Sequence, residues 1–243
     1  MRIAVIGGTG FVGSRLVDRL RANHHEAVAH GRSSGLDLLT GEGLRDALVA
    51  ADVVVDTIDA PSFDEKAIPF FRTTTANLLR AAEQAGVGHI VLLSIVGIDR
   101  VPDVDYYNAK VVQEALVREG PIPYSIVRAT QFMEFIDKIV DWTSDSDSVR
   151  LPTTRLQPIA VGEVVDTLAR VATGPPLNDT LSVAGPDVFP LDELGRLTLR
   201  ARHDRRSVVT DESAGLFSAV PSDAIVAPSG ATIGRVHYLD WVA

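Results

Sequence analysis

Short apolar runs alternate with amphipathic stretches through the first 130 residues of the chain. Five short apolar runs predict strands, and the first of them, residues 3–6, has the β-branched bias that is typical of a buried strand. These runs cover residues 3–6, 27–29, 52–56, 89–94 and 124–128. Between them, apolar residues recur at helical spacing and predict helices over residues 11–20, 43–51, 67–85 and 106–118. Strands that alternate with helices predict an α/β fold with a parallel sheet that is covered on both faces.

The alternation loosens after residue 130. Helical spacing returns over residues 162–172 and 191–201, and an apolar run at 181–184 predicts one more strand. The last forty residues give no clear pattern. We therefore expect a core over residues 1–130 and a smaller lobe over residues 131–243 that is integrated with the core.

Composition and charge limit the kinds of protein that this chain can be. It has no cysteine, which excludes a disulfide scaffold, a thiolate metal site and a catalytic thiol. Its formal net charge of −9 disfavours nucleic acid as a partner, because a phosphate backbone attracts basic surfaces. No apolar run approaches the roughly eighteen residues that cross a bilayer, and no acidic or histidine cluster has metal-ligand spacing. We expect a cytoplasmic protein without a membrane, metal or nucleic-acid partner.

A glycine-rich turn lies between the first predicted strand and the first predicted helix. Its sequence, GGTGFVG over residues 7–13, fits both G-x-G-x-x-G and G-x-x-G-x-x-G. Glycine allows the sharp turn, lets the backbone approach a pyrophosphate and lets the helix pack closely on the strand. The helix N-terminus then offers N–H groups to the phosphates. The strand–turn–helix context predicts a bound dinucleotide, and a tight turn without a ligand is the alternative.

The end of the second predicted strand bears on the identity of the dinucleotide. Proteins that bind NAD usually hold the ribose with an acidic residue about twenty positions after the glycines. This chain has His30-Gly31-Arg32-Ser33 there, without a carboxylate. The charge of Arg32 and the hydroxyl of Ser33 suit a 2′-phosphate instead. We therefore expect NADP(H) to be favoured over NAD(H); a solvated loop arginine is the alternative.

A tyrosine and a lysine share one face of the fourth predicted helix. Tyr106 and Lys110 are four residues apart, which places them one turn apart on the same side. The ammonium is expected to stabilise the tyrosinate and to lower the pKa of Tyr106 toward the working range. Such a pair can do acid–base work on a carbonyl. A chance pair without a chemical role is the alternative.

Taken together, these motifs resemble the atypical short-chain dehydrogenase/reductase superfamily, and within it the NmrA-like NAD(P)-binding proteins. Besides the turn and the tyrosine–lysine pair, the resemblance is carried by GVGHIVLLS at residues 86–94 and RATQF at residues 128–132. It implies a Rossmann-type, doubly wound sheet with NAD(P) across the carboxyl ends of the strands. Residues 1–130 would then bind the dinucleotide, and residues 131–243 the substrate.

The resemblance also implies a role for individual residues. Those that would meet the pyrophosphate are Gly7, Thr9, Gly10, Phe11 and Val12. Arg32, with Ser33, would hold the 2′-phosphate. The remaining cofactor contacts would be Asp56 and Thr57 after strand three, Lys110 on the nicotinamide ribose, and Thr130 and Gln131 beside the nicotinamide.

The implied chemistry is reduction of a small carbonyl, quinone or related unsaturated substrate. Tyr106 would donate the proton, Lys110 would tune it, and Ser94 would help to hold the substrate oxygen. Active members usually carry a serine run after strand four, whereas here Ser94 is followed by Ile95-Val96-Gly97. Loss of that donor would weaken stabilisation of the developing oxyanion. The alternative function is therefore an NADP(H)-binding redox sensor without catalysis.

Overall fold

The computed structural model describes all residues from Met1 to Ala243. The strands are β1 (Arg2–Ile6), β2 (Glu26–His30), β3 (Val53–Asp56), β4 (His89–Ile95), β5 (Tyr124–Ala129), β6 (Ser148–Leu151), β7 (Arg155–Leu156), β8 (Asp179–Ala184), β9 (Phe189–Pro190), β10 (Ser207–Thr210) and β11 (Thr232–Ile233). The α-helices are α1 (Phe11–Ala22), α2 (Leu44–Ala47), α3 (Ala67–Ala85), α4 (Asp105–Glu119), α5 (Met133–Trp142), α6 (Val161–Thr173), α7 (Leu191–Ala201) and α8 (Tyr238–Val242).

A seven-stranded sheet forms the centre of the fold, with strand order β2-β1-β3-β4-β5-β8-β11. The pairs β1–β2, β1–β3, β3–β4 and β8–β11 are parallel. The chain passes from β1 to β2 on one side and then returns to β3 on the other side of β1. Such a reversal opens a crevice at the carboxyl ends of β1 and β3, where doubly wound sheets bind ligands. The predicted Rossmann-type α/β fold is confirmed.

The inner strands are buried on both faces, which explains why they are continuous apolar runs in the sequence. Residues 3–6 and 53–55 are at most 2% exposed. Two smaller sheets stand outside the central one: β6 pairs with β10 in parallel, and β7 pairs with β9 antiparallel.

Most predicted elements begin and end within two residues of those in the structure, but one predicted helix is too long and several elements after residue 130 were not predicted. The predicted helix over 43–51 is wrong in extent, because only Leu44–Ala47 is α-helical. Ala50 has a φ of 55°, which a helix cannot continue through. The ten-residue α5, Met133–Trp142, was not predicted at all.

By compactness, the chain divides into two units, each built from separate segments. The first comprises residues 1–94, 105–128 and 164–181, and the second comprises residues 95–104, 129–163 and 182–243. None of the helices has both the length and the apolar character needed to cross a membrane. No group of three or more acidic or histidine side chains is arranged so that it could hold a metal ion.

His89, a buried histidine at the start of β4, is expected to make the protein less stable in acid. His89 Nε2 lies 2.8 Å from Ser125 Oγ, and burial lowers the pKa of His89 from 6.5 to about 4. The folded protein keeps the ring neutral, whereas the unfolded chain binds a proton below about pH 6.5. The free energy of unfolding should therefore fall between about pH 6.5 and 4, by up to about 3 kcal/mol from this group. Urea unfolding across that range should show a smaller decline for His89→Gln.

The contribution of Asp56 to stability changes with pH in the opposite direction, over much of the same pH range. Burial raises its pKa from 3.8 to about 6, so the folded protein holds this proton more strongly than the unfolded chain does. Its contribution to stability therefore falls as the pH rises through about 4 to 6. Because Asp56 is present in both proteins, it cancels in the comparison of His89→Gln with the parent. Identical pH slopes for the two proteins would contradict the assignment to His89.

Candidate functional site

The glycine-rich turn after β1 needs several of its glycines for the fold itself. A Cβ on Gly13 would lie 2.2 Å from Gly7 O, and one on Gly8 would lie 2.6 Å from both Ala29 Cα and Val5 O. Gly7 has a φ of +75°, which side chains disfavour. These three glycines therefore let the strand, the turn and α1 approach one another, as the fingerprint requires.

Gly10 differs from the other glycines of the turn, because little in the protein requires it. It is exposed, its backbone is extended, and a Cβ there would meet only Gly7 O, at 3.1 Å. It is also the N-cap of α1, where no side chain caps the helix and no acidic residue occupies the first turn. A helix N-terminus in this state favours a negatively charged ligand. The turn therefore fits a pyrophosphate.

The end of β2 lies directly against this turn. Gly8 N–H donates to His30 O at 3.0 Å, and a Cβ on Gly31 would lie 2.9 Å from Thr9 Oγ1. Arg32 and Ser33 follow in a short 3₁₀ turn, and both are exposed. The segment that carries Arg32 and Ser33 thus follows directly on the contact with the glycine-rich turn. Their contact with a 2′-phosphate stays a prediction.

The end of β3 brings two more predicted residues to the same edge of the sheet. Thr57 donates to Ile6 O from its backbone N–H, at 3.0 Å, and from its hydroxyl, at 2.9 Å. A Cβ on Gly7 would lie 2.9 Å from Thr57 Oγ1. Asp56 is the last residue of β3 rather than the first after it. Its carboxylate accepts a hydrogen bond from the Ile58 N–H at 3.0 Å.

Lys110 belongs to a buried chain of polar groups. Its ammonium donates to Leu93 O at 3.0 Å and to Gln113 Oε1 at 2.5 Å. Gln113 Nε2 in turn donates to Asp56 Oδ2 at 3.1 Å. Lys110, Gln113 and Asp56 are at most 3% exposed. Burial lowers the pKa of Lys110, although Asp56 and other carboxylates oppose this shift.

Tyr106 is bonded to a carboxylate. Its hydroxyl donates to Asp59 Oδ1 at 2.5 Å, and its ring packs against Phe63 and Phe71. Burial, together with the charge of Asp59, raises the pKa of Tyr106 far above its ordinary value. The expectation that Lys110 lowers this pKa is therefore wrong. The reason is that a negative charge contacts the phenol, while the ammonium is engaged with Leu93 and Gln113.

Ser94 lies inside β4 and is buried. Burial alone would raise the pKa of Glu114, but hydrogen bonds and charge, above all from Arg128, hold it below its ordinary value. Ser94 Oγ is near this carboxylate but is buried without a hydrogen-bond partner of good geometry. Glu114 is fully buried, and Arg128 contacts both of its carboxylate oxygens, at 2.8 and 2.7 Å. The immediate surroundings of Ser94 are thus those of a buried ion pair. Its predicted contact with a substrate oxygen stays a prediction.

Thr130 and Gln131 belong to the second compact unit. Their backbones are fixed: the Thr130 N–H donates to Val183 O at 3.1 Å, and the Ile159 N–H donates to Gln131 O at 2.9 Å. Their side chains make no such bonds: Thr130 Oγ1 and both polar atoms of the Gln131 amide are buried without a hydrogen-bond partner in the protein. Buried polar atoms of this kind are uncommon and costly. They suit residues that bond to a ligand.

Two residues of the site were missed in the sequence. Gln113 connects Lys110 to Asp56, and Asp59 accepts from Tyr106. Gln113 carries a usable signal, since it follows Tyr106 and Lys110 at helical spacing and extends a polar stripe on a helix. Asp59 carries none, because it lies in the irregular segment between β3 and α3, and only the fold brings it to Tyr106.

Comparisons with known proteins identify the family and the fold of the chain. The model of a family described as NAD(P)H-binding matches residues 34–168, which is more than half of the chain. Photosystem II assembly factor Ycf39 of Synechocystis sp. is 28% identical over 149 residues, which are 55% of this chain and 46% of that protein. The chain thus spans less than half the length of this curated relative.

Solved structures extend the likeness over the whole fold. A nucleoside-diphosphate-sugar epimerase from Staphylococcus aureus has a TM-score of 0.74 at 16% identity, covering 100% of this chain and 99% of that chain. A triphenylmethane reductase from Citrobacter sp. has a TM-score of 0.70 at 18% identity, covering 87% of this chain and 79% of that chain. At these identities the likeness shows the fold alone.

Fold and turn together define a dinucleotide-binding protein of the Rossmann type. The chain belongs to the NAD(P)H-binding family, in the atypical branch of the short-chain dehydrogenase/reductase superfamily. The matched residues begin at 34, so the glycine-rich turn at residues 7–13 is evidence independent of that match.

Proposed function

We propose that the protein is an NADP(H)-dependent reductase of a small carbonyl, quinone or related unsaturated compound. The observation that carries the proposal is the clustering of Tyr106, Lys110 and Asp56 at the carboxyl edge of β3 and β4, where a doubly wound sheet binds its ligand. Its partner would be a small-molecule substrate in the cytoplasm, with no nucleic acid or membrane involved.

The residues present suit the cofactor. Gly7, Thr9, Gly10, Phe11 and Val12 would hold the pyrophosphate at the N-terminus of α1. Arg32 and Ser33 would hold the 2′-phosphate, and Thr57 would add a polar contact. The bound nicotinamide would supply a hydride. Lys110 has three N–H donors, of which two are engaged within the protein, and the third would serve the ribose.

The chain's own chemical task is then to provide a proton. Tyr106 is held in place by its bond to Asp59 and by the surrounding rings. A phenol that is fixed and protonated can give its proton to an oxygen that becomes negative during reduction. Phe63 is 49% exposed as a residue, and its ring lies edge-on to that of Tyr106, with the centroids 4.9 Å apart. It would offer an apolar surface to a planar unsaturated substrate.

Arg32 provides a prediction on cofactor choice. Arg32→Ala should weaken NADP(H) by about 1.5–3 kcal/mol, the value of a charge-assisted contact, and leave NAD(H) nearly unchanged. Calorimetric titration of both cofactors measures this directly. Arg205→Ala, which removes another exposed arginine, is the control. If Arg32→Ala weakens both cofactors equally, Arg32 does not bind the 2′-phosphate.

A redox sensor that binds NADP(H) without turnover is the second candidate. Two observations favour it: Ser94 is buried beside Glu114, and the Tyr106 hydroxyl is occupied by Asp59. Oxidation of NADPH in the presence of a panel of quinones and aldehydes separates the two functions, because turnover of any compound excludes a pure sensor. Thermal shifts with NADPH, NADP, NADH and NAD test binding independently, since a ligand of the native state raises its stability.

A further inference from the structure

Asp59 joins the buried Tyr106 to the solvent. Tyr106 is 8% exposed, and rings from Phe63 and Phe71 pack around it. Its hydroxyl donates to Asp59 Oδ1 at 2.5 Å, and Asp59 itself is an exposed residue. The same oxygen accepts a hydrogen bond from the Ala60 N–H at 2.8 Å. Asp59 therefore contacts the phenol and is also open to solvent.

The polar chain on the other side of the site leads away from solvent. Lys110 bonds to Leu93 O and to Gln113, and Gln113 bonds to Asp56. The three side chains in this chain are at most 3% exposed. A proton that entered through these groups would have to start from an interior carboxylate, whereas Asp59 can take one directly from water.

We propose that Asp59 returns a proton from solvent to Tyr106 after each reduction, an inference that rests on the proposed reductase function. Each turnover would add a hydride from the reduced nicotinamide to the substrate carbon and a proton from Tyr106 to the substrate oxygen. The phenol O–H bond breaks and its electron pair stays on the phenolate. Asp59, protonated by water or a buffer acid, then gives its proton to the phenolate and becomes a carboxylate again.

Charge repulsion explains why the proton would move from Asp59 to the Tyr106 phenolate. A phenolate in contact with a carboxylate places two like charges together, which disfavours that state until one of them binds a proton. Burial and Asp59 raise the pKa of Tyr106, so the proton passes to the phenol. The resting protein thereby regains a protonated tyrosine with an anionic neighbour.

Rapid mixing tests the relay, because the first turnover needs no return of a proton. Asp59→Asn should oxidise one NADPH per site at the parent rate and then slow roughly 10²-fold, the lower end of general acid–base help. Added imidazole or acetic acid should speed the slow phase in proportion to its concentration, and should leave the parent unchanged. Asp103→Asn, which alters another exposed aspartate near α4, should behave as the parent.

Other outcomes would contradict the proton relay through Asp59. A steady-state rate for Asp59→Asn equal to that of the parent, or a slow rate without a burst and without rescue by acids, overturns the relay. If the parent turns over no compound at all, the proposed function fails instead. Proton NMR then still tests the hydrogen bond between Tyr106 and Asp59. The Tyr106 hydroxyl resonance is the one that is lost in Tyr106→Phe, and it should move upfield in Asp59→Asn. A parent spectrum without that resonance, or one that Asp59→Asn leaves unchanged, overturns the contact.

Discussion

Tyr106→Phe is expected to lower the turnover of NADPH with a reducible substrate by roughly 10²–10⁴, the usual size of general acid–base catalysis. The substitution removes one oxygen and keeps the ring that packs against Phe63 and Phe71. Asp59 loses a hydrogen bond, but it is exposed and can bond to water instead. The fold and the cofactor affinity should therefore persist, with a stability loss of about 1 kcal/mol at most. Steady-state kinetics and a thermal shift with NADPH measure the two effects separately.

Tyr107 provides the matched control, because it is the adjacent tyrosine on α4 and is also buried. Burial alone raises its pKa, with no carboxylate contributing. Tyr107→Phe should leave turnover nearly unchanged. If it abolishes turnover while Tyr106→Phe does not, the proton donor is Tyr107. If neither variant changes a measured turnover, the tyrosines are structural and the proton comes from water or another group.

Lys110→Met tests whether the Lys110 ammonium holds the cofactor in addition to supporting proton transfer by Tyr106. The methionine keeps the bulk of the side chain but removes the ammonium that bonds to Gln113. Because that ammonium is also proposed to bind the nicotinamide ribose, both turnover and cofactor affinity should fall. Loss of turnover with unchanged affinity would contradict the role on the ribose.

Local pattern was sufficient to predict the elements that form the dinucleotide-binding edge. The glycine spacing and the apolar runs of β1 and β3 are contiguous signals, so the turn, Arg32 and Asp56 could be placed from the sequence. The direction of the pKa shift of Tyr106 could not be predicted from the sequence, because helical spacing shows only that Lys110 is one turn away. The pKa of Tyr106 depends first on its burial and then on Asp59, which is 47 residues distant in sequence. Likewise, α5 was missed because its aromatic start follows β5 without a clear break.

Gly10→Val should abolish the binding of both NADP(H) and NAD(H) while the protein stays folded. A Cβ at this position would have one near neighbour, Gly7 O at 3.1 Å, so the turn must shift by a few tenths of an ångström to admit it. The extended backbone of Gly10 suits valine. The branched side chain would instead fill the space where a pyrophosphate meets the N-terminus of α1. We expect Kd to rise about 100-fold or more, equivalent to about 2.8 kcal/mol.

Two other glycines separate loss of binding from loss of fold. Gly13→Ala should unfold or strongly destabilise the protein, because its Cβ would lie 2.2 Å from Gly7 O. Gly162→Val replaces another exposed glycine near a helix start, with nothing within 4 Å of its Cβ, and should leave both properties intact. Calorimetry gives the affinities and urea unfolding gives the stabilities. A folded Gly10→Val protein that binds NADPH as tightly as its parent would show that the dinucleotide does not use this turn.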